Sequence, residues 1–297
     1  MATQGSPVVA RHRLRLALRQ RREAIGRTQG DIAKSLDWSL SKLQRIEAGE
    51  NAISTTDLQA LLGQLKVTDP ALISSLVAEA KVARRRSQWD EPRYRENLTP
   101  ATRMLLDFEA EATVIRSFQT LTIPGVLQTR DFATEVFQAL GADLTDEERQ
   151  VRLEVRLQRR AHVLDRLNRP LYLLILDQSI LLRALGGPEI FVAELQHILN
   201  DARGGRIQLR IAPFALPAGI TAHIPFTVLS MEDDEDSILY RENFQSDEII
   251  QAPDRVQRHL EIFAQLWEHS FPEDITQRLV EDRISQLRAE INRESTT

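Results

Sequence analysis

TQGDIAKSLDWSLSKLQRIEAG, residues 28–49, reads as two short helices joined by a tight turn. Thr28 opens the first, with Asp31 three residues on to complete a capping pair. Ile32, Ala33 and Leu36 give that helix a buried stripe. Ser39 caps the second helix, Leu43 and Ile46 point inward, and Gly49 supplies a left-handed stop. Once that inward face is fixed, Leu40, Ser41, Gln44 and Arg45 must point outward. The sequence between Ser39 and Arg45 is therefore either a reading surface or only the outside of a small bundle.

The neighbouring sequence favours a bundle of five helices. Leu14, Ala17, Leu18 and Ile25 mark one face of a helix from Arg11 that Gly26 ends, after a loose arm over residues 1–10. Ser54 with Asp57 opens a fourth helix through Leu58, Leu61, Leu62 and Leu65. Asp69-Pro70 opens a fifth, to about Ala83. Two helices meeting through a turn of three or four residues form the helix-turn-helix arrangement, whose second helix enters a major groove by its N-terminal end. Small Ala33 permits close approach of the pair, and Trp38 anchors the turn. On that reading Arg45 can form paired hydrogen bonds to guanine, Gln44 to adenine, Ser41 can donate or accept, and Leu40 can pack on a thymine methyl. Gln29 and Lys42 are better placed for phosphate.

Charge agrees with a nucleic-acid-binding head. Residues 1–86 hold 15 Arg/Lys against 8 Asp/Glu, and the remainder holds 23 against 35, within a net charge of −5. A basic head on an acidic body is the asymmetry of a DNA-binding regulator; chance clustering is the bland alternative. There is no cysteine, so disulfides, thiol catalysis and Cys-ligated zinc are excluded. No signal peptide or membrane-spanning run is visible, and the expected location is cytoplasmic, with the nucleoid.

The segment RRRSQWDEPRYRENLTP, 84–100, breaks the periodicity and is expected to link residues 11–83 to a second domain over 101–293. Arg84, Arg85 and Arg86 could touch phosphates or simply be solvated. Beyond Pro100 a helix is expected from Ala101 to about Phe118, then helices over 131–140 and 146–167. LYLLILD (171–177) reads as a buried strand, RIQLRIAP (206–213) as a second, and PFTVLSM with SILYRE as a hairpin. Gly186-Gly187-Pro188 turns into a helix, and the chain is helical again from about Asp254. The expected fold is mainly α with a mixed α+β second domain, its helices set around a sheet of about four strands.

Thr28-Gln29, Ala33, Ser39, Ile46-Glu47 and Gly49 fall at the spacing of the Cro and phage-repressor (xenobiotic-response-element) helix-turn-helix family, which residues 11–82 resemble. The resemblance implies an ion pair between Glu47 and Arg22. Further on, IPGVLQTRDFA (123–133) is similar to the V-P-G-L-L-Q-T-x-x-Y-A signature of a large group of actinobacterial, antitoxin-like transcriptional regulators. Glu109 to Ala112, RLQRRAHVLDR (156–166), LLILDQSILLRALGGPE (173–189), IQLRIAPF (207–214) and PFTVLS (225–230) resemble that group too. Gln178 departs from it, standing where a Glu is usual after Asp177, and His223-Ile224 replaces a Gly-rich approach to Pro225.

The residues leave the body's role open. Gln128 and Thr129 either shape a corner of the domain or form a ligand or partner site, to which Asp177 and Gln178 would belong. The resemblance implies a small protein partner, and a small-molecule effector is the alternative. Partners expected are double-stranded DNA with two half-sites and a second copy of the chain, since one short helix reads too few bases for specificity. No cofactor or metal is expected. The six histidines lack ligand spacing, and the carboxylates from Glu232 to Asp236 lack the Gly and distal Glu of a calcium loop. Without a nucleophile motif or P-loop, an enzyme is the remote reading.

Overall fold

The computed structural model describes residues 5–141, 144–217, 224–232, 234–242 and 247–295. The chain divides into two compact units, Met1–Glu91 and Pro92–Thr297. The first holds α1 (Pro7–Ala24), α2 (Gln29–Ser35), α3 (Leu40–Ala48), α4 (Thr55–Gln64) and α5 (Pro70–Ala83). Thr28, Ser39, Ser54 and Asp69 each cap the helix that follows, as their residue types dictate. Leu14, Leu18, Ile32, Leu43, Leu58 and Leu61 meet in one core, with Trp38 packed on its edge.

Helix α1 starts four residues earlier than the periodicity predicts. The hydroxyl of Ser6 accepts from the amides of Val8 (3.1 Å) and Val9 (3.5 Å), and Pro7 stands at the first helical position. Val9 and Ala10 are buried, so residues 7–10 of the expected arm belong to α1. Ser-Pro was the signal, and periodicity alone does not weigh it.

The second unit contains a six-stranded sheet in the order β3-β2-β1-β4-β5-β6. Its strands are β1 (Val114–Gln119), β2 (Leu171–Asp177), β3 (Gln208–Ala212), β4 (Phe226–Ser230), β5 (Ser237–Glu242) and β6 (Asp247–Ile250). β1, β2 and β3 are parallel, and β4, β5 and β6 continue the sheet antiparallel. Parallel neighbours require long crossovers. These are α8 (Arg130–Leu140) with α9 (Asp146–Val163), then α10 (Pro188–Arg203). α6 (Pro92–Asn97) and α7 (Pro100–Glu111) precede the sheet, and α11 (Pro253–His269) and α12 (Glu273–Glu294) follow it. One sheet face, through Phe118, Ile175, Phe226, Val228 and Leu239, packs on Val256, Phe263 and Leu266 of α11. On the other face, buried Tyr172 and Tyr240 look toward the pair of Glu109 in α7 and Arg159 in α9, and burial holds both phenols above their usual range.

The expected helix over 101–118 is in fact α7 and β1. Ala112 turns extended (φ −56°, ψ 137°) and ends the helix, and the chain enters the middle of the sheet. A six-residue strand is too short for its period to be separated from a helix; pairing with β2 and β4 decides. β6 is the other strand beyond the expected four. Its DEII sequence carries no alternation, and it is held at the edge by β5, where Arg241 bonds Glu248 at 2.9 Å. α9 stops at Val163 rather than residue 167. Residues 84–100 contain a 3₁₀ turn (Gln88–Asp90) and α6, and the division between the units falls after Glu91.

Candidate functional site

The helix pair is built by its caps. Thr28 Oγ1 accepts from the Asp31 amide (3.2 Å) while Asp31 Oδ2 accepts from the Thr28 amide (3.1 Å). The Thr28 hydroxyl, which donates to Asp31 Oδ2 at 2.8 Å, together with the Thr28 amide holds the Asp31 carboxyl below its usual range. Between the helices Asp37 adopts φ 55°, one of the few side chains that tolerates left-handed backbone, and the Trp38 amide returns to the Ala33 carbonyl at 2.9 Å. The Ser39 hydroxyl accepts from the Lys42 amide at 3.2 Å and lies 3.2 Å from Ser41 Oγ. Gly49 closes α3 at φ 74°, where a β-carbon would also stand 2.9 Å from Arg15 Cδ.

Leu43 and Ile46 are buried, and Leu40, Ser41, Gln44 and Arg45 are exposed together on the opposite side of α3. Leu40 keeps 47% of its surface accessible, which is unusual for a leucine on a short core helix. The side chains of Gln44 and Arg45 have no hydrogen bond or ion pair among the described residues. Their donors and acceptors are thus available to base edges.

The two residues expected at phosphates have partners of their own. Gln29 Nε2 donates to Glu47 Oε2 at 2.8 Å. Glu47 also takes both Arg22 contacts, Nε to Oε1 at 2.7 Å and NH2 to Oε2 at 2.9 Å. Glu47 is nearly sealed, and its hydrogen bond raises the Arg22 pKa further. Lys42 Nζ lies 3.0 Å from Asp57 Oδ1 and 3.9 Å from the centre of the Trp38 ring. Beside Gln29 and Glu47 is a groove of about 720 Å³ that no sequence motif marks, lined in part by Arg15, Arg19, Arg22, Arg27, Gln29 and Gln44. The spacing of 15, 19 and 22 on one helical face was its only signal.

In the second unit Gln128 is buried and fully engaged. Its Nε2 donates to the Ile123 carbonyl at 2.7 Å, and its Oε1 accepts from Arg156 NH1 at 2.7 Å. Burial depresses the Arg156 guanidinium to about 10, and its carbon stacks 4.1 Å from the Phe137 ring centre. Thr129 caps α8 by accepting from the Phe132 amide, and its own amide donates to Glu194 Oε2 at 2.9 Å. Glu194 is fully buried and its other oxygen has no hydrogen-bond partner among the described residues, so desolvation pushes its pKa up to about 7. Sequence gave no sign of this carboxyl, because a Glu on an amphipathic helix reads as solvated.

Asp177 and Gln178 stand elsewhere, at the C-terminal end of β2. Asp177 Oδ1 caps the Ser179 amide (2.9 Å) at the start of a 3₁₀ turn (Gln178–Leu182), and Gln178 Oε1 accepts from the Phe214 amide (3.2 Å). Among the described residues no hydrogen bond joins this pair to Gln128 and Thr129. Among the described residues no group of three or more His, Asp or Glu could hold a metal ion, and no helix is long and apolar enough to cross a membrane. His223 and Asp233 lie outside the described residues.

The five-helix head with its capped helix pair and open α3 face defines a DNA-binding regulator of the helix-turn-helix class. Residues 13–76 match the family described as "Helix-turn-helix domain". Residues 102–282, more than half of the chain, match "Domain of unknown function (DUF5753)", and the chain belongs to that family. No curated protein and no solved structure matches it.

Proposed function

We propose that this chain is a sequence-specific, antitoxin-like transcriptional regulator that binds operator DNA as a homodimer, one head on each of two half-sites. The observation that carries this reading is the exposed face of α3, where the side chains of Gln44 and Arg45 make no hydrogen bond or ion pair among the described residues and Leu40 and Ser41 stand beside them. Arg45 would read guanine, Gln44 adenine, and Leu40 a thymine methyl, while Ser39 fixes the start of the helix. The positive N-terminal end of α3 then lies near phosphate.

The C-terminal unit is the part that dimerises and answers to a small protein partner. Supporting a protein over a small molecule, Gln128, Thr129, Asp177 and Gln178 each hydrogen-bond within the unit, whereas the apolar side chains of Leu167 and Leu171 stand open. The test is genome-wide mapping of bound DNA together with identification of co-purifying protein. A single shared motif with two half-sites supports the reading. Binding without sequence preference, or with an affinity insensitive to salt, overturns it.

A further inference from the structure

Six large apolar residues of the second unit are exposed among the described residues, and four of them gather at one rim of the sheet. Leu121 follows β1, Leu182 follows β2, Phe214 follows β3, and Ile224 precedes the antiparallel β4. The order β3-β2-β1-β4 sets these four strand ends side by side. The loops are also tied together: Gln178 accepts from the Phe214 amide, and Arg183 NH1 donates to the Thr120 carbonyl at 3.1 Å. Exposures are 65% for Leu121, 62% for Leu182, 59% for Phe214 and 48% for Ile224. The remaining two, Leu167 before β2 and Leu171 at its first position, lie at the opposite end.

The rim is also depleted of charge. Over residues 120–122, 177–185, 212–217 and 224–226 only Asp177 and Arg183 are ionisable, in a chain with 27% charged residues. Asp177 is engaged by the Ser179 amide and Arg183 by Thr120. Arg283 of α12 reaches the Leu181 carbonyl and is itself 3.4 Å from Glu290. Charge depletion around large apolar side chains is the composition of an interface core.

We propose that this rim is where two copies of the chain pair; the proposal rests on the homodimer of the preceding section and gives it a surface. In a two-fold contact each copy offers the same patch to the other, so the patch must tolerate itself. An apolar rim with balanced, internally engaged charge does so. Elsewhere the body is acidic, and like surfaces would repel. The four side chains expose roughly 450 Å² per copy at about 200 Å² for a large side chain, a majority of the ~800 Å² that a stable interface covers on each partner. A patch of this size is comparable to the largest on a typical monomer, about 300–600 Å², and such patches often mark a functional surface.

The experiment is sedimentation of the full chain over a range of concentrations, as wild type, Phe214→Asp, Leu121→Asp/Leu182→Asp, and the opposite-end control Leu167→Asp. The expected result is a wild-type and control mass twice the chain's 33.9 kDa, with both rim variants at 33.9 kDa. Each rim variant should still bind a single half-site as wild type does, and lose at least tenfold on the two-half-site operator. Hydrogen exchange on the wild type guards against misfolded variants: amides of residues 120–122 and 178–185 should gain protection as concentration rises. A monomeric wild type, rim variants that stay dimeric, a control that dissociates equally, or no concentration-dependent protection overturns the proposal. So does a chain that gains mass only with a second, different protein. Failure of every form to bind a half-site would instead sink the DNA reading and leave the mass measurements standing.

Discussion

Lys42 lies 3.0 Å from Asp57 at the first turn of α4 and 3.9 Å over the ring of Trp38, so one cation joins α3, the turn before it and the helix after it. Both partners of the ion pair are about a third exposed. Such a pair contributes about 0–1 kcal/mol and the ring contact about 0.5–1 kcal/mol. Lys42 can therefore exchange Asp57 for a phosphate at small cost.

Lys42→Ala should weaken operator and random DNA alike and reduce the slope of log affinity against log salt by about one. Asp57→Asn should do the reverse, strengthening both. Fluorescence anisotropy across a potassium chloride series measures this. An unchanged slope in both variants would show that Lys42 stays with Asp57 in the complex.

Arg45→Ala should act differently. Loss of a two-bond contact to one base costs about 1–3 kcal/mol of discrimination, with random-sequence binding reduced only slightly. Competition between operator and scrambled duplex gives the ratio directly. A ratio equal to wild type would remove Arg45 from base reading.

Arg22→Ala should destabilise the head by about 3–5 kcal/mol, because it strands the nearly sealed Glu47 carboxylate. Gln29→Ala removes one hydrogen bond to the same carboxylate and should cost only about 1–2 kcal/mol. Urea titration of both variants checks the order. If the two losses were equal, the ion pair would not be what holds α1 to α3.

Glu194 predicts a pH dependence in the second unit. Its carboxyl is held up to about 7 when folded, against 4.5 as the ordinary value. Below that ordinary value both states are protonated. From there to about 7 the folded chain keeps a proton that the unfolded chain releases, so this group's contribution to stability falls as pH rises. The loss levels off above the folded pKa at roughly 3 kcal/mol. Glu194→Gln, which keeps the size of the side chain, should remove that slope. The difference in unfolding free energy between variant and wild type should move in the variant's favour between pH 5 and pH 8. A difference independent of pH would mean that the folded carboxyl ionises at its ordinary value.

The Gln128 amide bridges the Ile123 carbonyl and Arg156, so Gln128→Ala should cost about 1–3 kcal/mol by leaving buried groups unpaired. Thermal unfolding reads this loss. A neutral effect would point away from a structural role for the IPGVLQT corner.

Local chemistry made the head legible. Thr28, Ser39, Ser54 and Asp69 cap helices because their side chains satisfy amides within three residues, and that geometry needs no distant partner. The body was less legible where long-range pairing overrides local pattern. Ile115 and Phe118 sit as well on a helix as on a strand, and only β2 and β4 fix them in β1. Asp247 to Ile250 has no strand pattern at all and pairs because β5 offers an edge.

The candidate site divides the same way. Local residue types set the capped helix pair and its inward residues Ile32, Ala33, Leu43 and Ile46, and hence the outward group of Leu40, Ser41, Gln44 and Arg45, since helical geometry ties one face to the other. Packing between helices decided that Gln29 is spent on Glu47 and Lys42 on Asp57, residues 18 and 15 positions away. The tertiary structure also decided that Gln128 is sealed against Arg156, and that four apolar side chains from distant loops share one rim. Contacts across the fold are set by which elements pack together, and no local period of the sequence encodes that.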